Sequence, residues 1–455
     1  MLKIDTRKKL GAIKPVNGIC NGPVSFGGLI DCSQFFKQAG FPYCRFHDTN
    51  YPNAGEVDIH TIFKDFNADE NDSENYDFRK TDIYIEEAEA TGAKIVFRLG
   101  ESIEHTKTKF YVHPPADFDK WAKICLNIAR HYNEGWANGF HKNIMYWEVW
   151  NEPDHEAQQR ELDAMWSGTQ QQYFDLYATT VRLFKKEMPN VKIGGYVAAD
   201  VVSPWKQPYL NAFLDFVKKN ELPLDFFSWH IYASKVEKVR HAAAHARRKL
   251  DEYGFADTEM TLTEWNFIMN RPFWGVINDL ENPASAAKAR HEIMPETEGL
   301  VGASFTAAVL IEMADLPIDI ATFYDGQPTN FFCTIFDRWG YPTKQYYPFV
   351  AFDMAVKQGE RVYSECEISG TYALATASES GVSIMLSNWE GRTGEYPVEI
   401  VGFDPNKRCK YEIFTLDARH DFEKTTELSN ISVDDFPKDV YMHANDVVLI
   451  KITEE

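Results

Sequence analysis

The amino-acid sequence predicts an α/β protein, a (β/α)8 (TIM) barrel with an appended antiparallel β-sandwich. Up to about residue 357, apolar, β-branched or aromatic runs alternate eight times with segments of helical pattern. Continuous apolar strands of this kind fit a parallel sheet buried on both faces. After residue 357 the runs become short and alternating, with Gly, Asn, Asp and Pro between them. A chain of 455 residues is long enough for one large and one smaller domain.

Eight candidate strands and eight candidate helices follow one another along the chain. The strands are expected at 17–27, 43–48, 93–100, 143–151, 191–199, 225–233, 260–266 and 318–325. The helices are expected at about 31–40, 77–92, 117–133, 166–188, 207–220, 235–253, 284–315 and 343–357. The segment "FDKWAKICLNIARHY" shows the helical pattern, because its apolar residues recur at i, i+3 and i+4. A doubly wound open sheet is the main alternative, but no G-x-G-x-x-G follows the first strand.

The region after the barrel contains short runs such as "TYALATAS", "GVSIMLSNW" and "DVVLIKIT". Their alternation, interrupted by turn residues, predicts antiparallel strands. The N-terminal run "LKIDTRKKL" precedes the first barrel strand and is expected to add an edge strand. The predicted domains are therefore a barrel at 14–357 and a β-sandwich made of 1–13 and 358–455.

The charge and the absence of certain motifs limit the classes of partner and compartment. The formal net charge of −21 would repel phosphates, which argues against nucleic acid and anionic membranes as partners. The seven cysteines are scattered and never form a C-x-x-C pair, as expected of free thiols in a reducing compartment. No signal-peptide core and no run of eighteen apolar residues occurs. The chain as written is thus expected to be cytoplasmic, although a leader already removed would leave no trace. The sequence does not decide whether the protein forms a homo-oligomer.

Polar side chains at the C-terminal ends of barrel strands face the active site. The sequence places the following residues at such ends: Arg45, His47 and Asp48; Arg98 and Glu101; Asn151 and Glu152; His230 and Tyr232; Glu264, Trp265 and Asn266; Tyr324 and Asp325. Glu152 and Glu264 end the fourth and seventh strands, which lie nearly opposite each other in an eight-stranded barrel. The sequence therefore predicts two carboxylates facing each other across the mouth.

Two facing carboxyl groups are what glycoside hydrolysis requires. One protonates the leaving oxygen, and the other attacks the anomeric carbon when the two groups are about 5–5.5 Å apart. In "YWEVWNEPD" the strand is stopped by Pro153, which leaves Glu152 where the strand opens into the cleft. The neighbouring Asn151 is well placed to hydrogen-bond the sugar 2-hydroxyl.

Other interpretations of the same residues are weaker when the motifs are taken together. Asn-Glu-Pro at a strand end is also ordinary turn chemistry, and a single histidine is more often structural than catalytic. A metal hydrolase is disfavoured, because the first strand has no H-x-H and the chain has no H-E-x-x-H or Cys/His cluster with ligand spacing. No metal and no other cofactor are therefore expected.

The combined motifs resemble those of glycoside hydrolase family 39 of clan A. The similar segments are "KPVNGICNGP", "YCRFHD", "FRLGESIEH", "YWEVWNEPD", "SWHIYA", "LTEWN" and "YYPFVAFD", over about residues 14–357. The family contains β-xylosidases, α-L-iduronidases and some arabinofuranosidase-type enzymes. The resemblance implies that Glu152 is the acid/base and Glu264 the nucleophile, and it implies an appended β-sandwich. It further implies that Asn151, His230, Tyr232 and His47 belong to the site, which Asp48, Trp265, Tyr324 and Asp325 are expected to complete.

Two departures from the family pattern narrow the expected substrate. Iduronidases of the family resemble one another in a lysine two residues after the strand-six histidine, where this chain has Tyr232. A buried uronate needs such a cationic partner, which Arg45 or Arg98 could supply in place of the lysine. The family's β-xylosidases typically carry paired glutamates near strand eight, where this chain has "FYDGQPTNFF".

The sequence thus predicts a retaining exo-glycosidase acting on a pentoside glycan end, of the β-xyloside or α-L-arabinofuranoside type. Its partner would be an oligosaccharide or glycoside substrate. An endo-acting polysaccharide hydrolase and a non-catalytic carbohydrate-binding barrel remain as alternatives.

Overall fold

The computed structural model describes residues 1–25, 28–49, 56–102, 109–154, 165–268, 283–328, 335–402 and 407–455. The strands are β1 (Leu2–Gly11), β2 (Gly18–Cys20), β3 (Val24–Ser25), β4 (Ile30–Asp31), β5 (Tyr43–Phe46), β6 (Lys94–Leu99), β7 (Tyr146–Val149), β8 (Lys192–Ala198), β9 (Phe226–Ala233), β10 (Glu259–Phe267), β11 (Ile320–Phe323), β12 (Glu360–Cys366), β13 (Tyr372–Ser378), β14 (Gly381–Ser387), β15 (Gly394–Val401), β16 (Cys409–Leu416), β17 (Asp421–Ile431), β18 (Asp439–Met442) and β19 (Val447–Glu454). The helices are α1 (Ser33–Ala39), α2 (Ile59–Ile62), α3 (Arg79–Glu89), α4 (Phe118–Glu134), α5 (Gln170–Glu187), α6 (Gln207–Lys219), α7 (Val236–Tyr253), α8 (Pro283–Thr297), α9 (Leu300–Met313) and α10 (Tyr347–Gln358).

Eight parallel strands close into a barrel in the order β2, β5, β6, β7, β8, β9, β10 and β11. The barrel closes where β11 pairs with β2, so the predicted fold class is confirmed. The first strand is shorter than predicted, because the positive φ of 67° at Asn21 turns the chain after Cys20. β3 instead pairs with β4 in a hairpin. Phe26 and Gly27 of the predicted strand lie outside the described residues.

Local chemistry sets where several of the helices around the barrel begin and end. α5 begins after a capping box formed by Thr169 and Gln172. α4 begins where the Asp117 side chain accepts from the backbone N–H of Lys120 and ends at the left-handed Gly135. The predicted helix 284–315 is divided into α8 and α9, because Gly299 adopts an extended conformation that a helix cannot contain.

The remaining strands form a nine-stranded sheet in the order β17, β16, β19, β14, β13, β12, β1, β15 and β18. β1 lies inside this sheet rather than at its edge, and its pairing with β15 is parallel, which makes the sheet mixed. Ile4, Ile384, Ile450 and Met442, from strands far apart in this order, share one buried cluster. The sheet therefore curls so that its two ends enclose a core.

The other face of the sheet packs against the barrel. Trp389, which follows β14, has its ring centroid 5.6 Å from that of Phe267 and 5.4 Å from that of Phe305. The hydroxyl of Ser387 donates to the backbone oxygen of Ser304 in α9 at 2.7 Å. The sheet is thus fixed to α9 and to the end of β10, the strand that carries Glu264.

Two further observations concern the cysteines and the helices. The cysteines within the described ranges are free thiols, while Cys333 lies outside those ranges. Within the same ranges, no helix has both the length and the apolar character needed to cross a membrane.

Candidate active site

A sharp turn after β7 directs Glu152 into the mouth of the barrel. Trp150 and Glu152 have φ angles of 69° and 44°, which side chains of this size rarely adopt. The backbone N–H of Trp150 donates to the oxygen of Leu99 at 2.7 Å, and that of Glu152 donates to the oxygen of Val197 at 3.0 Å. Bonds to both neighbouring strands therefore hold the strained turn, and Glu152 is left only 8% exposed.

The carboxylates of Glu152 and Glu264 both approach the same ring nitrogen of His230. The Nδ1 atom of His230 is 2.6 Å from Oε1 of Glu152 and 3.5 Å from Oε2 of Glu264. One oxygen of each glutamate and the histidine nitrogen all lie within 4.8 Å of one another. The structure therefore brings together the two glutamates and the strand-six histidine that the sequence singled out.

Glu264 accepts hydrogen bonds from two donors that the barrel interior positions. Nη1 of Arg45 donates to its Oε1 at 2.8 Å, and the Tyr232 hydroxyl donates to its Oε2 at 2.7 Å. Burial and the negative charge of Glu264 raise the pKa of Tyr232 well above its usual value, so the phenol keeps its proton. A cation and a neutral donor thus stabilise the Glu264 carboxylate.

Arg45 is fully buried and joins three strands of the barrel. Its Nε donates to Glu148 and its Nη2 to the side-chain oxygen of Asn151, each at 2.7 Å. Burial opposes its charge, but the carboxylates of Glu148 and Glu264 outweigh this and raise the pKa of Arg45 above its usual value. Arg45 is therefore a permanent cation that fixes both Glu264 and Asn151.

A second polar group lies at the ends of the eighth, first and second barrel strands. The Tyr324 hydroxyl donates to Asp48 at 3.2 Å, and the Asn21 amide donates to Asp325 at 3.1 Å. The backbone N–H of His47 donates to the side-chain oxygen of Asn21 at 3.0 Å. All five residues are buried, so the predicted residues from these strands form one hydrogen-bonded wall.

Trp265 is placed differently from the other predicted residues. It is 1% exposed, and its ring packs edge-on against Phe323 with centroids 4.9 Å apart. The same ring also contacts Phe349 in the main core. The predicted contact between Trp265 and the sugar thus finds no support in this geometry, and we assign the ring to the core.

Arg98 and Glu101 belong to a separate buried cluster beside the cleft. Nη2 of Arg98 donates to Asp58 at 2.7 Å, and the carboxylate of Glu101 contacts the His60 ring. Burial, supported by the nearby charge of Asp58, raises the pKa of Glu101 to about 7. These contacts join Glu101 to His60 of α2, so we assign Glu101 to holding a barrel-top loop.

The sequence patterns did not single out two residues of the site, Glu148 and Asn21. Glu148 carries a detectable pattern, since an ionisable side chain between Trp147 and Val149 in a buried strand requires a charged partner. Asn21 follows the first strand directly, as strand-end polar residues do. The partner of each became clear only from the structure.

Two groups of described residues have donor atoms spaced for a metal ion. They are Asp58, His60 and Glu101, and Glu152, His230 and Glu264. In the second group Glu152 already contacts a ring nitrogen of His230, and the Arg45 cation donates to Glu264. These contacts favour a proton-handling site over a cation site.

Comparison with known proteins places the chain in a family. The model of the glycosyl hydrolases family 39 matches residues 29–318. A β-xylosidase of Caldicellulosiruptor saccharolyticus is 25% identical in an alignment of 333 residues that covers 67% of this chain and 58% of that protein. A β-xylosidase of Geobacillus stearothermophilus is 27% identical in an alignment of 238 residues that covers 49% of this chain and 41% of that one. The chain thus spans about half the length of the curated relatives it matches.

Solved structures share the whole fold. A glucosidase from Croceicoccus marinus superposes with a TM-score of 0.80 and 23% identity, covering 99% of this chain and 98% of that one. A monomeric β-xylosidase from Caulobacter crescentus superposes with a TM-score of 0.72 and 17% identity, covering 99% of both chains. The matched family segment covers more than half of the chain and includes both glutamates, so the chain belongs to the glycosyl hydrolases family 39.

Proposed function

We propose that the protein is a retaining exo-glycosidase that releases a terminal pentose by double displacement, without a cofactor. Residues 14–357 would form its catalytic domain, and residues 1–13 with 358–455 its accessory domain. The observation that carries the proposal is the buried pair of carboxylates, Glu152 and Glu264, that face each other beside His230. β-Xylosides are the first choice among pentosides, because the two named relatives are β-xylosidases.

The spacing of the two carboxylates supports retention of configuration. One oxygen of each glutamate lies within 4.8 Å of an oxygen of the other, which is compatible with the separation of about 5–5.5 Å between the carboxyl groups of retaining enzymes. Inverting enzymes hold the groups about 6.5–9.5 Å apart to admit a water molecule between acid and base. The pair is therefore suited to direct attack by one carboxylate.

The surroundings of the two glutamates support different roles. Arg45 and Tyr232 favour a carboxylate at Glu264, as a nucleophile requires. Glu264 would attack the anomeric carbon while Glu152 gives its proton to the leaving oxygen. The product is a glycosyl ester of Glu264. Glu152, now a carboxylate, would take a proton from the water that cleaves this ester.

The polar wall supports a neutral sugar. Asp48 and Asp325 are buried there, where they would accept hydrogen bonds from sugar hydroxyls and repel a uronate carboxylate. Arg45 is buried and engaged by Glu148, Glu264 and Asn151. Arg45 is therefore not available to pair with a uronate carboxylate, and Tyr232 stands where the family's iduronidases carry a lysine.

Two glutamate variants test the proposed roles. Glu264→Ala should abolish turnover of every substrate, because no glycosyl-enzyme can form. Glu152→Ala should lose about 100- to 10,000-fold on xylobiose, but should still form the intermediate from dinitrophenyl β-xyloside, whose leaving group needs no protonation. Azide should then restore turnover and give β-xylosyl azide, identified by mass and anomeric configuration.

Glu101→Ala is a matched control, since it removes another buried glutamate at the end of a barrel strand. It should keep turnover of both substrates. Equal losses by Glu152→Ala on xylobiose and on the dinitrophenyl glycoside would refute the assignment of the acid/base. A product with inverted configuration from the unmodified protein would refute double displacement, and release of oligosaccharides rather than xylose would refute exo action.

A further inference from the structure

Exposed aromatic side chains are concentrated at the mouth of the barrel. Of the six that the described ranges contain, Tyr441 lies on β18 in the sheet. The other five lie on loops that lead from a barrel strand to the following helix: Phe110, Tyr111, Trp205, Trp339 and Tyr341. Such loops surround the active site of a barrel of this kind. Exposed rings at this end of the molecule are therefore available to a ligand that extends out of the site.

Trp205 is distinguished from the others by its attachment to the turn that carries Glu152. It lies between β8 and α6, and the neighbouring Lys206 is buried with its ammonium group against the backbone oxygen of Asp154. The Asp154 carboxylate in turn accepts from the backbone N–H of Ala199 at 3.0 Å. Two links thus tie the Trp205 loop to the segment that begins with Glu152.

The Trp205 loop is also internally braced. The Asp200 carboxylate accepts from the backbone N–H groups of Val202 and Ser203 at 2.6 and 3.0 Å. The Gln207 amide donates to the backbone oxygen of Val201 at 2.8 Å. The tryptophan is therefore held on a fixed loop, although it is 61% exposed.

The faces of the Trp205 ring have neither a ring nor a cation against them among the described residues, unlike those of two of the other exposed aromatic side chains. Tyr111 is stacked on His60 with centroids 3.7 Å apart, and the guanidinium of Arg338 lies 5.3 Å from the centre of the Trp339 ring. An open aromatic face is suited to the apolar C–H face of a pyranose ring.

The position of Trp205 around the barrel indicates which part of a substrate it would meet. The polar wall of Asn21, His47, Asp48, Tyr324 and Asp325 lies at the first, second and eighth strands. Trp205 follows the fifth strand, on the opposite side of the ring of strands. An acid/base contacts the leaving oxygen, so the segment joined to Glu152 lies on the side of the leaving group.

We propose that Trp205 is the platform on which the first sugars of the leaving group stack. It would make the protein prefer an oligosaccharide over a glycoside with a small leaving group. The inference rests on the proposed function, since it takes Glu152 as the acid/base. The ligand class is a neutral glycan chain of at least two sugars beyond the bond that is cleaved.

The test compares kcat/KM for xylotetraose with kcat/KM for β-xylosyl fluoride, whose leaving group is too small to reach the ring. Trp205→Ala should lower the ratio of the two values about 5- to 30-fold, the effect expected of about 1–2 kcal/mol of lost binding. Trp205→Phe should retain most of the ratio because it keeps a ring. Tyr441→Ala removes an exposed ring from the sheet and should leave the ratio unchanged.

The possible results separate this inference from the function on which it rests. Turnover of both substrates with an unchanged ratio in Trp205→Ala would overturn the inference and leave the proposed function standing. Equal losses on both substrates would also overturn it, because they would indicate damage to the catalytic centre. An unmodified protein that hydrolyses neither substrate would overturn the proposed β-xyloside activity, and the inference with it.

Discussion

Arg45→Met is predicted to damage stability and activity together. Arg45 donates to Glu148 at 2.7 Å, to Glu264 at 2.8 Å and to Asn151 at 2.7 Å, and its side chain is fully buried. Removing one partner of a buried ion pair costs about 3–5 kcal/mol, so the free energy of unfolding should fall by that amount. Turnover should fall about 10- to 100-fold, because one hydrogen bond to a charged group is worth about 1.5–3 kcal/mol.

A second variant separates the two effects. Arg45→Met combined with Glu148→Met replaces a buried pair by apolar side chains, which is often neutral for stability. Part of the free energy of unfolding should return, because Glu148 is no longer left as an unpaired buried charge, whereas turnover should not, since Glu264 still lacks its cationic donor. Urea unfolding followed by circular dichroism gives the first quantity, and initial rates on dinitrophenyl β-xyloside give the second.

Arg240→Met is the matched control for this pair of variants. Arg240 of α7 also pairs with a glutamate, Glu312 of α9, but its side chain is 49% exposed. Exposed pairs contribute about 0–1 kcal/mol, so this variant should unfold almost as the unmodified protein does. If Arg45→Met and Arg240→Met unfolded at the same urea concentration, the reasoning about the buried cation would be wrong. Recovery of turnover in the double variant would show that Glu264 does not depend on Arg45.

Two more predictions concern single side chains. Tyr232→Phe removes the hydroxyl that donates to Glu264 at 2.7 Å, so kcat/KM on dinitrophenyl β-xyloside should fall about 10- to 100-fold; a change below twofold would exclude a role for the phenol. Burial raises the pKa of Glu101 from 4.5 to about 7, so its stabilising contribution is fully present below pH 4.5 and is lost as the pH rises to about 7. The Glu101→Gln variant has no titrating group at this position. Relative to it, the unmodified protein should lose about 2–3 kcal/mol of unfolding free energy between pH 5 and 8. If urea unfolding gave parallel curves of unfolding free energy against pH for the two proteins, this prediction would be contradicted.

The barrel was predictable because chain order and spatial order coincide in it. Each strand pairs with the next along the chain, apart from the closure by β11 and β2. The period of apolar residues therefore sufficed to place Glu152 and Glu264 at two strand ends on one rim. The same pattern could not show that β1 lies within the sheet, because its pairing with β12 and β15 joins segments far apart in sequence.

The direction of side chains near the site was less predictable. β10 has a register shift against β9 between Leu262 and Glu264, so simple alternation fails to tell whether Glu264 or Trp265 faces the cleft. The structure directs the Trp265 ring to Phe323 and leaves Glu264 with Arg45 and Tyr232. The partnership of Arg45 with Glu148 joins residues 103 positions apart, and a local pattern carries no information on such a contact.

The nine-stranded sheet supports the candidate site through packing. Phe267 ends β10 only three residues after Glu264, and its ring lies against Trp389 and Phe305. Because buried rings are closely packed, a shift of the sheet would displace the end of the strand that carries Glu264. A carboxylate that must remain within hydrogen-bond reach of both Arg45 and Tyr232 tolerates little displacement. The sheet is thus best understood as the outer support of β10, and the apolar face that it turns to the barrel is the reason it can act in this way.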